Sequence, residues 1–589
     1  MKEESDRKSL QSGVFSIPKC QELEALVHSF SPAEKVLFWM FAALLVGSTA
    51  TLMFQVNKFL ITEVPAYGGS ISEGIVGSPR FINPLLAISD ADRDMASLLY
   101  SGLMKIDPTG GIIPDLAKSY NISEDGLVYS FTLRDDIVFH DGTPISADDV
   151  LFTIQMAQDP TLKSVKRASW DGITAEKISE REINFYLKQP YAPFLQNTTL
   201  GILPRHIWKD IELDQFPFST FNTEPIGSGP YKLESVDKST SGVPKQYKLS
   251  SFNEYALGKP YISNVEVIFY QNEDDLINGY RNSKIGNINS IAPDKVGRLK
   301  EEGAYVVLSS LPRIFAVFFN QNQAPVFVNK EVRIALNIGL DKTSIVREIL
   351  SGYGTVIDSP LPPGVIVRKN TQSVVENTSS TTLTKTEKAI AILEDAGWEY
   401  NEAEQIYEKI RKKETQRLEF SLATSNVPEL KAAAEIVAKE WEKMGARVTV
   451  KIFETGDLNQ NVIRPRKYDA LLFGEIVGRE LDLFAFWHSS QRNDPGLNIA
   501  LYANITVDDL LENVRVSSDK KARVATYEAF EEEIMADVPA VFLYSPDFIY
   551  IVSPTIQGIE LESITVAAER FLNIHKWYIE TDKVWHFFE

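Results

Sequence analysis

The side chains with the widest chemical repertoire are few and scattered. Six histidines stand at His28, His140, His206, His488, His575 and His586, and none is spaced from another as a metal-holding helical pair would be. The single cysteine, Cys20, excludes an intramolecular disulfide and any site built on two or four thiolates. No nucleophile elbow, phosphate loop or dinucleotide-binding glycine pattern occurs. Asn121 to Gly126 (NISEDG) opens like a calcium loop, but its twelfth position is Thr132, where a bidentate Glu is needed. Carboxylates are abundant, 80 in all, and spacing ranks no two of them as an acid–base pair. No catalytic residue, metal ligand or cofactor is therefore expected. The chemistry left open is recognition, in which charged and aromatic side chains line a cleft.

Such side chains need elements to carry them, and several are legible. After the Asp125-Gly126 turn, Leu127, Tyr129, Phe131 and Leu133 alternate with Val128, Ser130, Thr132 and Arg134, the pattern of a half-buried strand. Ser146 with Asp149 three residues on forms a capping box, starting a helix with Val150, Ile154 and Ala157 on one face. Later, Leu418, Phe420 and Leu422 mark a strand. A helix follows from about Pro428, with Leu430, Ala434, Val437, Trp441 and Met444 at helical spacing. Gly445 stops it, and Val448, Val450 and Ile452 mark the next strand. Strand, helix and strand at this spacing predict a βαβ unit. Turn-forming residues gather at Ile226–Pro230 (IGSGP), at Ser239–Pro244 and, as a surface loop, at Asn370–Thr384. No internal repeat is present.

At 589 residues the chain exceeds one hydrophobic core, and its formal charge of −20 argues against a nucleic-acid partner. Val36 to Phe54 are nineteen residues without a charge, enough to cross a bilayer. The 35 residues before them are too many for the charged region of a cleaved signal, and no lipoprotein cysteine follows. An uncleaved anchor is expected. Lys2, Arg7, Lys8, Lys19 and Lys35 precede the segment and Lys58 follows it closely, which favours the tail inside and the body, from about Tyr67, outside.

The stretch from Gly111 to Phe152 resembles the signature of the family 5 solute-binding proteins, which serve ABC importers of oligopeptides, dipeptides, nickel complexes and related solutes. The resemblance extends through Asn83-Pro84, Leu99-Tyr100-Ser101-Gly102-Leu103, Ile226 to Tyr231, Phe319-Asn320, Val332 to Leu336 with Asp341, Tyr468-Asp469-Ala470, and Asn498 to Tyr502. It implies an α/β fold, bilobal and periplasmic-binding-protein-like (type II, in the three-lobed peptide-binder variant), here preceded by the one transmembrane helix expected from the apolar run, with a cytoplasmic tail at 1–35 and an anchor at 36–55. The resemblance further implies a discontinuous first lobe at 66–104, 225–311 and 541–589. The second lobe would be 105–224 and the third 312–540.

Implied partners are a peptide or small solute held between lobes, an ABC permease and ATPase, and the membrane; the protein would be a monomer that binds and does not catalyse. A membrane-anchored sensor or surface-binding protein on the same fold is the alternative. Peptide binders of this family carry an acidic residue, for the ligand's ammonium, within the window equivalent to Phe473–Ser490. Gly478 stands near that position here, and Glu475 replaces the family's tryptophan after Gly474. Candidate ligand contacts are therefore Trp170, Asn320, Glu475, Arg479, Asp482, Trp487 and His488, with Glu480 a further nearby charge. His140, Gly227 and Gly229 are read as scaffold.

Overall fold

The alternation around Tyr129 produces the strand Val128–Leu133, with Tyr129, Phe131 and Leu133 buried. It pairs antiparallel with Ala117–Ile122 and Glu182–Tyr186, and Thr174–Ser179 completes a four-stranded sheet. The predicted capping box is formed: Ser146 N and Oγ both donate to the Asp149 carboxylate at the start of the helix Ala147–Gln158. The βαβ unit is Glu419–Ser425, Pro428–Lys443 and Arg447–Phe453, with its two strands parallel. This is a computed structural model, describing residues 27–363, 383–411, 414–479, 481–517, 519–562 and 564–585. Cys20 and most of the expected tail, residues 370–382 of the expected surface loop, and Glu480 lie outside the described residues.

Residues 67–580 form one compact unit around a twelve-stranded mixed sheet. Its long member is Ala540–Val552. The first half of that strand pairs with Arg313–Phe319, and the second half with Tyr305–Ser310 and Asn287–Asn289. One continuous strand thus joins the side holding the βαβ unit to the side holding Ser70–Val76 and Asn264–Tyr270. Period-two alternation sorts Arg313–Phe319 between two cores: Val317 and Phe319 pack with Trp441 and Leu336, while Ile314, Ala316 and Phe318 pack with Trp487 and Phe542. A third core lies against the four-stranded sheet, and a smaller one lies under the helices Glu273–Arg281 and Pro293–Glu301.

The other unit comprises residues 1–66 and 581–589. Its helix, Pro32–Leu60, starts at a capping box between Ser31 and Glu34 and buries no residue against protein. At 1.5 Å per residue its 29 residues extend about 44 Å, more than the about 30 Å hydrocarbon core. By length and composition it is the one described helix able to cross a membrane. Ile61–Pro65 continues it and pairs antiparallel with Thr581–Trp585.

Candidate functional site

A cavity of about 690 Å³ opens between the helix Asp90–Leu99, the loop that follows helix Ala147–Gln158, and residues 566–572. That volume falls within the roughly 300–1,000 Å³ of small-molecule sites. One wall is polar and buried. Lys105, from the three-residue strand Met104–Ile106, donates to Tyr255 Oη at 2.9 Å and stands over that ring. Asp115 is 3% exposed, and its Oδ1 has no hydrogen-bond partner among the described residues. Burial pushes the Asp115 carboxyl up to about 6, with Lys105 pulling the other way. Burial lowers Lys105 to about 8, with Asp115 opposing. Tyr100 Oη, which has no partner among the described residues, belongs to the same wall. Behind it, burial lowers His575 to about 3, so that ring is neutral where it packs edge-on against Tyr255.

Glu569 lines the cavity and is held from two directions. Thr565 donates to it through N and Oγ1, and Arg479 pairs with it at 2.8 Å. Arg479 also crowds Gly110, where an added Cβ would stand 2.6 Å from its guanidinium. Gly110, Glu569 and Arg479 are far apart in sequence, so three stretches of chain meet here. A second seam joins residues 191–192 to residues 482–515. Arg515 pairs with Asp482 at 2.8 Å and lies over the rings of Tyr191 and Phe484; the Tyr191 hydroxyl also donates to Asp482, and Ala192 N donates to the Arg515 carbonyl.

The cavity is thus walled by separate segments of the chain, and Glu569 in its wall is paired with the distant Arg479. Residues 111–494 match the sequence model described as bacterial extracellular solute-binding proteins, family 5 Middle. The chain belongs to this family. It is similar to the oligopeptide-binding protein AppA of Bacillus subtilis, 28% identical over 87% of this chain and 92% of that protein. It is 29% identical to the nickel-binding periplasmic protein of Escherichia coli, over 73% of this chain and 80% of that one. Among solved structures, B. subtilis AppA in complex with a nonapeptide superposes with a TM-score of 0.63 at 26% identity, covering 88% of this chain and all of that one. The mixed α/β periplasmic-binding-protein fold expected from the family 5 resemblance is thus present, and the family's role is extracytoplasmic solute binding.

The structure distributes the family 5 candidates unevenly. Trp170 lines the cavity with one edge while its ring packs on Phe185 and Phe194. Arg479 reaches the cavity through Glu569, and Asp482 belongs to the Arg515 seam. Asn320 is buried, accepting from the amides of Asn322 and Gln323 and donating to the Arg466 carbonyl. Trp487 is enclosed by Phe318, Tyr502 and Phe542, and His488 stacks on Phe484 at 4.0 Å. Glu475 is buried in the sheet, and neither carboxylate oxygen has a partner among the described residues. The three scaffold residues are packed as scaffold. His140 Nδ1 accepts from Gly227 N and Nε2 donates to the Gly229 carbonyl, a neutral ring in agreement with burial lowering it to about 4. A Cβ on Gly227 would stand 1.9 Å from the Leu99 carbonyl.

Sequence reasoning passed over Tyr100, Lys105, Asp115, Tyr255 and Glu569. A signal for two of them was present: Lys105 and Asp115 are lone charges within the apolar runs Met104–Ile106 and Ile112–Ala117. For the Arg515 seam, Arg515→Ala should favour an opened cleft by about 1 kcal/mol, because the partly exposed ion pair and its stacking are lost together. A larger radius of gyration by small-angle scattering checks this, and an unchanged radius counts against it. No group of three metal-ligating side chains occurs among the described residues.

Proposed function

We propose that this chain is the membrane-tethered solute-binding component of an ABC importer, capturing peptides or a related small solute in the cavity and delivering them to a permease and its ATPase. The observation that carries the reading is the 690 Å³ cavity with a buried polar wall, set in a family 5 chain whose similar proteins include peptide binders. In this reading the lobes are 66–104 with 225–311 and 541–589, then 105–224, then 312–540; the cavity is lined by the first two, and the third reaches it through the pairing of Arg479 with Glu569. Trp170 and Arg479 contact or close upon the solute. Asn320, Trp487 and His488 hold the framework. The helix Pro32–Leu60 is an uncleaved anchor, the protein acts as a monomer, and the solute leaves chemically unchanged.

The test is native mass spectrometry of the full chain, purified in detergent from its own host, with denaturing identification of what is released. A heterogeneous set of short peptides is the expected result. A single non-peptide solute would overturn peptide capture and keep solute capture. Conversion of an added peptide pool to fragments would overturn the non-catalytic reading. An intact mass that includes residues 1–60 would support the anchor, and loss of those residues would show a cleaved leader.

A further inference from the structure

The chain has eight tryptophans, and six of them, Trp170, Trp208, Trp398, Trp441, Trp487 and Trp577, are fully buried. The two exposed ones are Trp39 and Trp585, at 64% and 50%. They stand near opposite ends of the sequence, yet both belong to the unit of residues 1–66 and 581–589. Trp39 lies on the helix Pro32–Leu60, one turn beyond Lys35, the last charge before the apolar run. Trp585 ends the strand Thr581–Trp585, opposite Ile61 in the two-stranded ribbon, and its Nε1 donates to Asn57 Oδ1 at 3.0 Å. Asn57 directly precedes Lys58, the first charge after the apolar run.

Trp39 and Asn57 are eighteen residues apart on one helix, about 27 Å along its axis, close to the about 30 Å of a hydrocarbon core. The indole held at Asn57 is therefore about one bilayer thickness from the indole of Trp39. Tryptophan favours both membrane interfaces, where its ring meets lipid and its N–H meets a polar group. The helix carries a tryptophan of its own at one end only; past Phe54 its residues are Gln55, Val56, Asn57, Lys58, Phe59 and Leu60. A strand from the other end of the sequence supplies the second. Asn57 satisfies the Trp585 N–H and leaves ring surface exposed, and Phe59, two residues on, is 87% exposed. A sheet of only two strands is marginal in water by itself, so burial of these rings in an interface would stabilise the ribbon.

We propose that Trp585 is the interfacial anchor of this membrane helix at the end near Lys58, supplied by the strand Thr581–Trp585, and that the surface it contacts is the headgroup region of the bilayer. The proposal rests on the reading of Pro32–Leu60 as an uncleaved anchor. Both crossings of the chain between its two units, at 66–67 and 580–581, then start from a ribbon held at the bilayer surface.

The test is tryptophan fluorescence of the full chain reconstituted into phosphatidylcholine vesicles, with and without lipids brominated just below the headgroup, which quench indoles at that depth. Trp585→Phe should remove about half of the wild-type quench, and Trp39→Phe should remove the other half. The double variant should show none, because its six remaining indoles are buried in protein. Full quench kept in Trp585→Phe and lost in Trp39→Phe would overturn the proposal and leave the anchor standing. No quench in the wild type would overturn the anchor reading and the proposal with it.

Discussion

Arg570→Met should lower the stability of the unit spanning residues 67–580 by about 3–5 kcal/mol, the loss expected when one member of a buried ion network is removed. Arg570 has no exposed surface, and it donates to both oxygens of Asp94 at 2.9 and 2.7 Å and to Glu73 at 3.0 Å. Tyr550 Oη donates to the other Glu73 oxygen at 2.8 Å, and the guanidinium lies over the Phe571 ring at 4.0 Å. Burial pushes the Glu73 and Asp94 carboxyls up, and Arg570 pulls both back. Without the guanidinium, two carboxyls face each other in a dry core. The network ties the strand Ser70–Val76 and the strand Ala540–Val552 to the helix Asp90–Leu99 and the C-terminal segment, the last two of which wall the cavity. The urea-unfolding midpoint measures the loss. Adding Glu73→Gln and Asp94→Asn to Arg570→Met should recover part of it, and a loss under about 1 kcal/mol for the single variant would refute the network's role.

Glu475→Gln should act in the opposite direction, stabilising the ligand-free protein by about 1–3 kcal/mol at pH 7.5, because a neutral amide removes the penalty of holding an ionisable carboxyl in a dry site above its unfolded pKa. Burial raises this carboxyl well above its ordinary 4.5. The sign follows from linkage. A carboxyl raised on folding holds its proton more tightly in the native state, so its penalty is absent below pH 4.5 and grows as pH rises through the native value. The gain from Glu475→Gln should therefore be larger at pH 7.5 than at pH 4.5, read as the difference in urea midpoints between variant and wild type. A gain independent of pH would contradict the assignment. Lost affinity for released host solute, at unchanged stability, would instead make Glu475 a ligand contact.

Local rules carried much of the architecture. The strand at Val128–Leu133, the cap at Ser146 and the βαβ unit around Trp441 each follow from neighbours within a few residues, because strand alternation and helical spacing report directly which face must be buried. Ordered motifs along the chain were enough for the family, and a nineteen-residue uncharged run was enough for one long apolar helix. The cavity was less legible. Trp170 and Arg479 stood out by type, but Trp487 and Asn320, equally prominent in the sequence, lie in packed framework. Asp115, Lys105, Tyr255 and Glu569 gather from positions up to 464 residues apart. Which charges are paired, and which are left facing a cleft, depends on distances and desolvation that arise only when remote segments pack together. The sequence by itself therefore determined the elements, the family and the apolar helix. Tertiary structure alone decided where a cavity opens and which charges line it, since electrostatic partnership follows proximity in space and not order along the chain.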